Sequence, residues 1–458
     1  MKIKALSRSA ASTTRECSGD LRHFHRNLDP SYHPHQRARE YTRAVTSAKM
    51  DRMFAKPFIA SLEGGHRDGV TASCTSRNAL VPYVSGAADG EIRIWDLQGM
   101  GLVKDFPGAH SRMVTGLVFA NCGRRFYSCS DDGLIKSWNV YPDGPAAEIE
   151  EWATPHGPVS TYRSSEVGSF KSIDYHRSEQ EFATASDSSV DVWSPERNAP
   201  IQSFPRPWAS DDTSTVVRYN PAERNLIGQC SMDRGIGLFD TRSGSATKKT
   251  ILKMRSNCLE WNPMEPMNFV VGNEDYNAYS FDMRKLDTPT MIYKGHVGTV
   301  LAVNWAPTGR EFTTGGYDKT IRIFNHRKGK AREVYHTKRM QRIFTLDYTA
   351  DNKYIISGSD DTNLRVWKAN ASEKIGQKST REEKSLEYRQ SLIKKYSHMP
   401  TVNKIHASRK VPKFIKKQTA VGQVQKESQQ RKQDNREKYE KNAKHVPERN
   451  KVVIKKVE

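Results

Sequence analysis

The 458-residue chain contains no stretch approaching the ~20 consecutive apolar residues that a membrane-crossing helix needs. Its opening residues, Met-Lys-Ile-Lys-Ala-Leu-Ser-Arg, lack the apolar core of a secretory signal. Both absences point away from secreted and membrane-embedded proteins. Cysteine is sparse and scattered: Cys17, Cys74, Cys122, Cys129, Cys230 and Cys258, with no CxxC pair. A disulfide framework or zinc site needs closer, paired spacing, so the expectation is free thiols in a reducing compartment. The Asn370-Ala371-Ser372 sequon is then a chance match. Also missing are GxxxxGK[ST], HExxH, GxSxG and the dinucleotide-binding glycine pattern. The sequence thus reads as a non-enzyme without cofactor, metal or small-molecule substrate.

Acidic charge is also in short supply, but unevenly so. The formal net charge is +21. Residues 1–57 carry 12 Lys/Arg against 5 Asp/Glu, a net of +7. Residues 58–368 carry 37 against 37 and are neutral, whereas 369–458 carry 24 against 10, a net of +14. Cationic arms neutralise phosphates and gain affinity by releasing counterions, so the tails are the candidate nucleic-acid contacts. The same composition also suits a solvated tail or an import signal.

What is present in quantity is repetition. Short strands ending in an aromatic recur at Trp95, Trp138, Trp193, Phe239, Phe281, Phe324 and Trp367. Six residues before each aromatic stands an aspartate: Asp89, Asp132, Asp187, Asp233, Asp275, Asp318 and Asp361. The spacing of mostly 42–46 residues, once 55, matches the period of WD-repeat blades, each a four-stranded antiparallel sheet. The chain therefore resembles the WD-repeat β-propellers. The expected class is all-β: seven blades over 58–368, a basic N-terminal segment over 1–57, and a basic, largely helical or disordered region over 369–458. The strand Ile59–Leu62 is expected to close the ring from the outer edge of blade seven. Gly65-His66 and Gly295-His296 supply the family's other marker, with His110 and His336 in matching places.

A hydrolase triad is the tempting reading of His66, Ser85 and Asp89. The set recurs as His110, Ser128, Asp132, however, and an active site occurs once whereas a structural device recurs in every unit. The resemblance implies buried tetrads of His, Ser/Thr, Asp and Trp. These would be complete in blade one (His66, Ser85, Trp95), blade two (His110, Ser128, Trp138) and blade seven (His336, Ser357, Trp367). In blade six Thr314 takes the hydroxyl position, but Phe324 has no indole N–H.

Within the C-terminal region, Thr380-x-x-Glu383 reads as a capping box opening a helix through Leu386, Leu392, Ile393 and Tyr396, ending near Met399-Pro400. Beyond it Arg409, Lys410, Lys413, Phe414, Lys416 and Lys417 interleave cations with an aromatic able to stack on an unpaired base, the candidate RNA contact. Residues 426–444 are almost wholly polar, an exposed helix at best marginal alone. His23, His25, His33 and His35 crowd a Pro-punctuated, loop-like N-terminal stretch and read as surface residues.

Several longer stretches go beyond a generic repeat: RNLDP, REYTRA, FAKPF, WNPMEP, NEDYN, FDMRKLDTP, APTGREF, GYDKTIRIF, REVYHTKRMQR and WKANASEKIG. Together these resemble the Sof family of nucleolar WD-repeat proteins, with departures around 141–170 and in the last ~40 residues. The resemblance implies a non-catalytic scaffold of the small-subunit processome, the U3 snoRNA-centred particle of pre-rRNA processing, 18S maturation and small ribosomal subunit biogenesis. It places the protein in the nucleolus with pre-rRNA, U3 ribonucleoprotein and assembly factors as partners. A second implication comes from Phe239-Asp240-Thr241-Arg242 and Phe281-Asp282-Met283-Arg284. These resemble the box by which substrate receptors dock on the cullin-4 ubiquitin-ligase adaptor, with Arg242 and Arg284 as candidate contacts.

Overall fold

A computed structural model describes residues 27, 29–140, 157–163, 168–205, 213–439 and 447–457. Most of the 141–170 connection, His23 and His25, and the end of the 426–444 polar run lie outside the described residues. The chain divides into two compact units: residues up to Pro57 with Asn370–Arg409, and Phe58–Ala369 with Lys410–Glu458. The C-terminal region, expected as one piece over 369–458, is thus shared between them.

The first unit is helical. Helix α1 (Gln36–Met53), α2 (Thr380–Lys395) and α3 (Pro400–His406) surround Ala44, Ala48, Leu392, Ile393 and Val402. The two alanines make room for the larger residues of α2 and α3. Glu40 accepts from Lys395 Nζ at 2.6 Å and Tyr396 Oη at 2.9 Å across that packing. The Lys395 bond leads in holding the Glu40 carboxyl down to about 2. The helix that follows His35 is not anticipated by the sequence pattern: Ala44 and Ala48 sit one turn apart and find a partner about 350 residues later. One expectation is corrected here. The α2 cap is Ser379, whose Oγ accepts from Glu382 N at 3.3 Å, so the box is Ser379-x-x-Glu382.

The second unit holds seven antiparallel sheets, the seven-bladed WD-repeat propeller. Blade one, for example, runs Val70–Thr75, Pro82–Ala87, Ile92–Asp96 and Gly101–Phe106 from the inner strand outwards. Its second strand is buried at every residue, because neighbouring blades cover both faces, while its outer strand is mostly wet. A recurrent glycine sets the inter-blade approach. A Cβ on Gly86, Gly272, Gly315 or Gly358 would sit 2.7 Å from Val114, Val300, Ile343 or Val70 of the next blade. The last of these pairs joins blade seven to blade one. Strand Phe58–Ser61 adds to Leu364–Lys368 in antiparallel register, Phe58 opposite Trp367, so the ring is closed by the two ends of the repeat region.

Blade four departs from the pattern. Strand Val453–Val457 pairs with Ser245–Leu252 as a fifth, outermost strand, with Leu252 opposite Val453. Val452 is buried with Leu252, Trp261 and Phe269, which anchors the addition. Helix α4 (Lys413–Tyr439) contains both the Lys413–Lys417 cluster and most of the polar run as one continuous helix. Its Gln433 Oε1 accepts from Lys451 Nζ at 2.9 Å, a contact that supports a helix otherwise too polar to stand alone.

Candidate functional site

The repeated His, Ser/Thr and Trp residues form buried relays inside single blades. In blade one Ser85 Oγ accepts from Trp95 Nε1 at 2.7 Å and lies 2.6 Å from His66 Nε2. In blade two the corresponding distances at Ser128 are 2.9 and 2.7 Å, and His110 Nδ1 reaches Asp132 at 2.9 Å. Blade six keeps three members: His296 lies 2.6 Å from Thr314 and 3.0 Å from Asp318. Burial leads in lowering His296, and Asp318 only partly restores it. Burial pulls the Asp132 and Asp318 carboxyls upward, but their histidine partners and local donors outweigh it and hold each at about 2. The relay hydroxyls of Ser85, Ser128 and Thr314 are fully enclosed, with no approach for a substrate.

Three details differ from the sequence pattern. In blade one His66 Nδ1 faces Glu91 at 3.3 Å rather than Asp89, whose Oδ1 accepts only from the Glu91 amide at 3.1 Å. In blade seven Trp367 Nε1 donates to Ser357 at 2.8 Å, but His336 is not in the relay. His336 precedes the serine by 21 residues, against 18 or 19 in blades one, two and six, and stops short of the site. Arg365 pairs with Asp361 instead. In blade three Thr184 and Trp193, 2.9 Å apart, are separated by nine residues rather than ten. The turn is one residue short, so Asp187 is not equivalent to the others and bonds Ser169. Asp132, Asp233, Asp275 and Asp318 each accept from the amide two residues on, as Asp89 does.

Across the blades, at the far ends of the inner strands, lies a cavity of about 400 Å³. Arg218 Nε donates to Glu260 at 2.7 Å, Asp174 accepts from Tyr219 N at 2.7 Å, and Asp347 accepts from Ser73, from Tyr83 at 3.2 Å and from Asn304 at 3.4 Å. Each of these bonds joins two different blades, so the network stitches the ring. Burial leads in raising the Glu260 and Asp347 carboxyls. No spacing in the sequence announced this set, because its members come from six blades and share no motif.

The candidate adaptor arginines occupy equivalent turns in blades four and five. Asp240 accepts from the Arg242 amide at 2.9 Å and leaves the exposed Arg242 side chain to solvent. Asp282 holds the Arg284 guanidinium through bonds of 3.1 and 2.8 Å, with the side chain still 69% exposed. Of the candidate RNA residues, Lys413, Phe414, Lys416 and Lys417 fall in the first turns of α4, where Ile415 is buried and Phe414 is 64% exposed. Lys410 precedes the helix and is exposed. Arg409 belongs to the helical unit, where its guanidinium donates to the carbonyls of His406 and Ser408.

Comparison with known proteins agrees with this architecture. A Sof1-like domain model matches residues 369–453, and a WD domain, G-beta repeat model matches 57–96, 101–139, 287–325 and 333–368. The chain is 42% identical to DDB1- and CUL4-associated factor 13 of Danio rerio over all of both chains. It is 43% identical to the Homo sapiens protein of that name over 96% of each. Protein SOF1 of Saccharomyces cerevisiae is 38% identical over 99% of this chain and 94% of its own. The crystal structure of the WD40 β-propeller domain of Doa1 superposes with a TM-score of 0.57 at 17% identity, covering 71% of this chain and 98% of that one, and shows the fold alone. With such identity sustained from end to end, the chain belongs to the Sof1-like WD-repeat family.

Proposed function

We propose that this protein is a non-catalytic scaffold of the small-subunit processome, acting in nucleolar pre-rRNA processing on the path to 18S rRNA. Proteins grip the propeller, and the basic regions outside it contact pre-rRNA or the U3 ribonucleoprotein. The observation that carries the reading is the charge partition: the whole +21 excess lies outside a neutral 58–368. Full-length similarity to protein SOF1 supports it. Phosphate contacts by Lys and Arg give salt-steep, weakly selective binding. The test is titration of single-stranded pre-rRNA with the full chain and with a variant carrying Gln at Lys410, Lys413, Lys416 and Lys417. The slope of log K against log salt should fall by about 0.7 for each phosphate that the variant no longer neutralises. An unchanged slope places the RNA contact elsewhere.

A second reading is favoured by the names of relatives such as DDB1- and CUL4-associated factor 13. In it Arg242 and Arg284 touch the cullin-4 ligase adaptor. Changing both to Ala should abolish co-purification with the adaptor while leaving processome assembly intact. Persistent co-purification returns both arginines to ordinary turn chemistry.

A further inference from the structure

In every blade but the third, the turn following the second strand places the residue after the aspartate in the left-handed region; in blade seven this is the half-buried Thr362 (φ 70°). Blades one and two use glycine there, Gly90 and Gly133, at φ +87° and +76°. Blades four, five and six instead carry Arg234 (φ 69°), Tyr276 (φ 71°) and Lys319 (φ 63°), all with exposed side chains. A side chain in that conformation crowds its own backbone, a strain that glycine avoids. The turn itself asks only for glycine. Lys319 Nζ returns one bond to the fold, donating to Gln341 Oε1, and strain kept at exposed turns directs attention to function.

The surroundings specify the kind of partner. Met232, Met254, Tyr276 and Tyr317 each leave 46–48% of their surface in solvent on these same turns and the loops beside them. They are contiguous with basic groups: Arg255 Nη1 lies 2.9 Å from Met232 Sδ, and the Arg342 guanidinium covers the Tyr317 ring at 4.2 Å. The nearby carboxylates are already engaged. Asp233 is taken by Lys249, Asp275 by Tyr279, Asp318 by His296 and Glu274 by Arg255. Only Asp233 and Glu274 are cancelled by cations, through Lys249 and Arg255. Asp275 and Asp318 keep their charge, and the exposed Arg234, Lys319 and Arg342 outnumber them, so the balance among these groups is weakly positive although the propeller as a whole is neutral. Exposed Met, Tyr and Arg are the residue types that concentrate at protein interfaces, and methionine adapts to irregular apolar partners.

We infer that this face of blades four to six docks a protein segment that combines Asp/Glu with apolar anchor residues. The methionines and tyrosines receive the anchors, while Arg234, Lys319 and Arg342 face the carboxylates. This goes beyond the scaffold reading and does not depend on where RNA binds.

Three measurements test it. In the first, the full-length protein with Tyr276→p-benzoylphenylalanine is irradiated in cells and its adduct sequenced. An acidic segment bearing aliphatic or aromatic residues is expected. A nucleotide adduct, a basic segment or no adduct would overturn the inference. In the second, the full chain carrying Arg234→Gly, Tyr276→Gly and Lys319→Gly is melted beside the wild type. Relief of strain should leave Tm equal or higher, whereas a lower Tm would mean that these side chains serve the fold. A charge-neutral pair, Tyr276→Gly with Met254→Ala, should weaken binding of a synthetic peptide of the crosslinked segment at least tenfold. Undiminished binding rejects the site.

Discussion

Blades one and two are held by a relay of His, Ser and Trp, whereas blades four and five occupy the same positions without one. Where blade two has Ser128 and Trp138, blade five has Val271 and Phe281, both fully buried in an apolar cluster with Trp261 and Phe269. Blade four has Gln229, which donates to Ser214, at the serine position and Phe239 at the tryptophan position. The turn aspartates of these blades are redirected, Asp233 to the buried Lys249 and Asp275 to Tyr279. All four share the same four-stranded antiparallel arrangement, to which blade four adds its outermost fifth strand. What is required of a blade, then, is a filled interface and satisfied polar groups, and a relay is one of several ways to supply them. Interchangeability of this kind belongs to architecture and not to catalysis.

The largest effect should come from breaking a buried ion pair rather than a turn. Asp361 and Arg365 are 14% and 7% exposed at their side chains. Asp361→Ala strands a buried guanidinium and should cost about 3–5 kcal/mol. Asp89→Ala removes an acceptor only from one backbone amide and should cost about 1 kcal/mol. Denaturant midpoints of the two variants decide the matter. Equal losses would mean that the aspartates act alike after all.

Next in size is the relay itself. Ser128→Ala leaves the indole N–H of Trp138 and the ring of His110 without their shared partner, and should cost about 2–3 kcal/mol. Val271→Ala at the corresponding place in blade five removes only methyl groups, at about 1–2 kcal/mol by the same measurement. If the valine proves the costlier, the relay is an ornament on a blade held by packing.

How much of this was legible beforehand follows the same division. The period and the aspartates pointed to seven blades, and Ile59–Leu62 as the closing strand lies within a residue of Phe58–Ser61. The WD domain model likewise matches blades one, two, six and seven and passes over three to five, where the relay residues thin out. Local spacing is visible in a sequence, but partners chosen across the fold are not. Ala44 and Ala48 read as an unremarkable polar stretch until Leu392, Ile393 and Val402 cover them. Val453–Val457 shows no alternation to advertise it as a fifth strand, and the Arg218–Glu260 pair spans two blades. His336 misled for the converse reason: the residue type was right, and its offset from the serine was too long.

Acid should separate the two kinds of blade more gently. His66 and His296 have values depressed first by burial, so each is neutral in the fold. Below about pH 6.5 the unfolded chain takes up these protons before the folded one does, so stability is full above that pH and declines as pH falls. Asp132 and Asp318, at about 2, add a second loss between about pH 4 and 2. Hydrogen exchange between about pH 6.5 and 4.5 should therefore show blades one and six losing protection before blades four and five. Uniform loss around the ring would remove the distinction.

The smallest effect is also the sharpest discriminator. Phe324 and Phe281 are both fully buried at the tryptophan position, but the groups facing them differ. Phe324→Trp in blade six brings an indole N–H towards Thr314, whose Oγ1 already sits 2.6 Å from His296 Nε2 in the geometry that Ser85 presents to Trp95. Phe281→Trp in blade five brings the same N–H towards Val271, which has nothing to accept it. Both variants bear the overpacking cost of a larger ring, so that cost cancels in the difference between them. What remains is one buried hydrogen bond against one unsatisfied donor, about 1–2 kcal/mol in favour of the blade-six variant. Chemical denaturation of the two single variants reads that difference directly. Equal destabilisation would mean that Thr314 is not a relay position open to an indole, and that blade six belongs with the apolar blades despite its histidine.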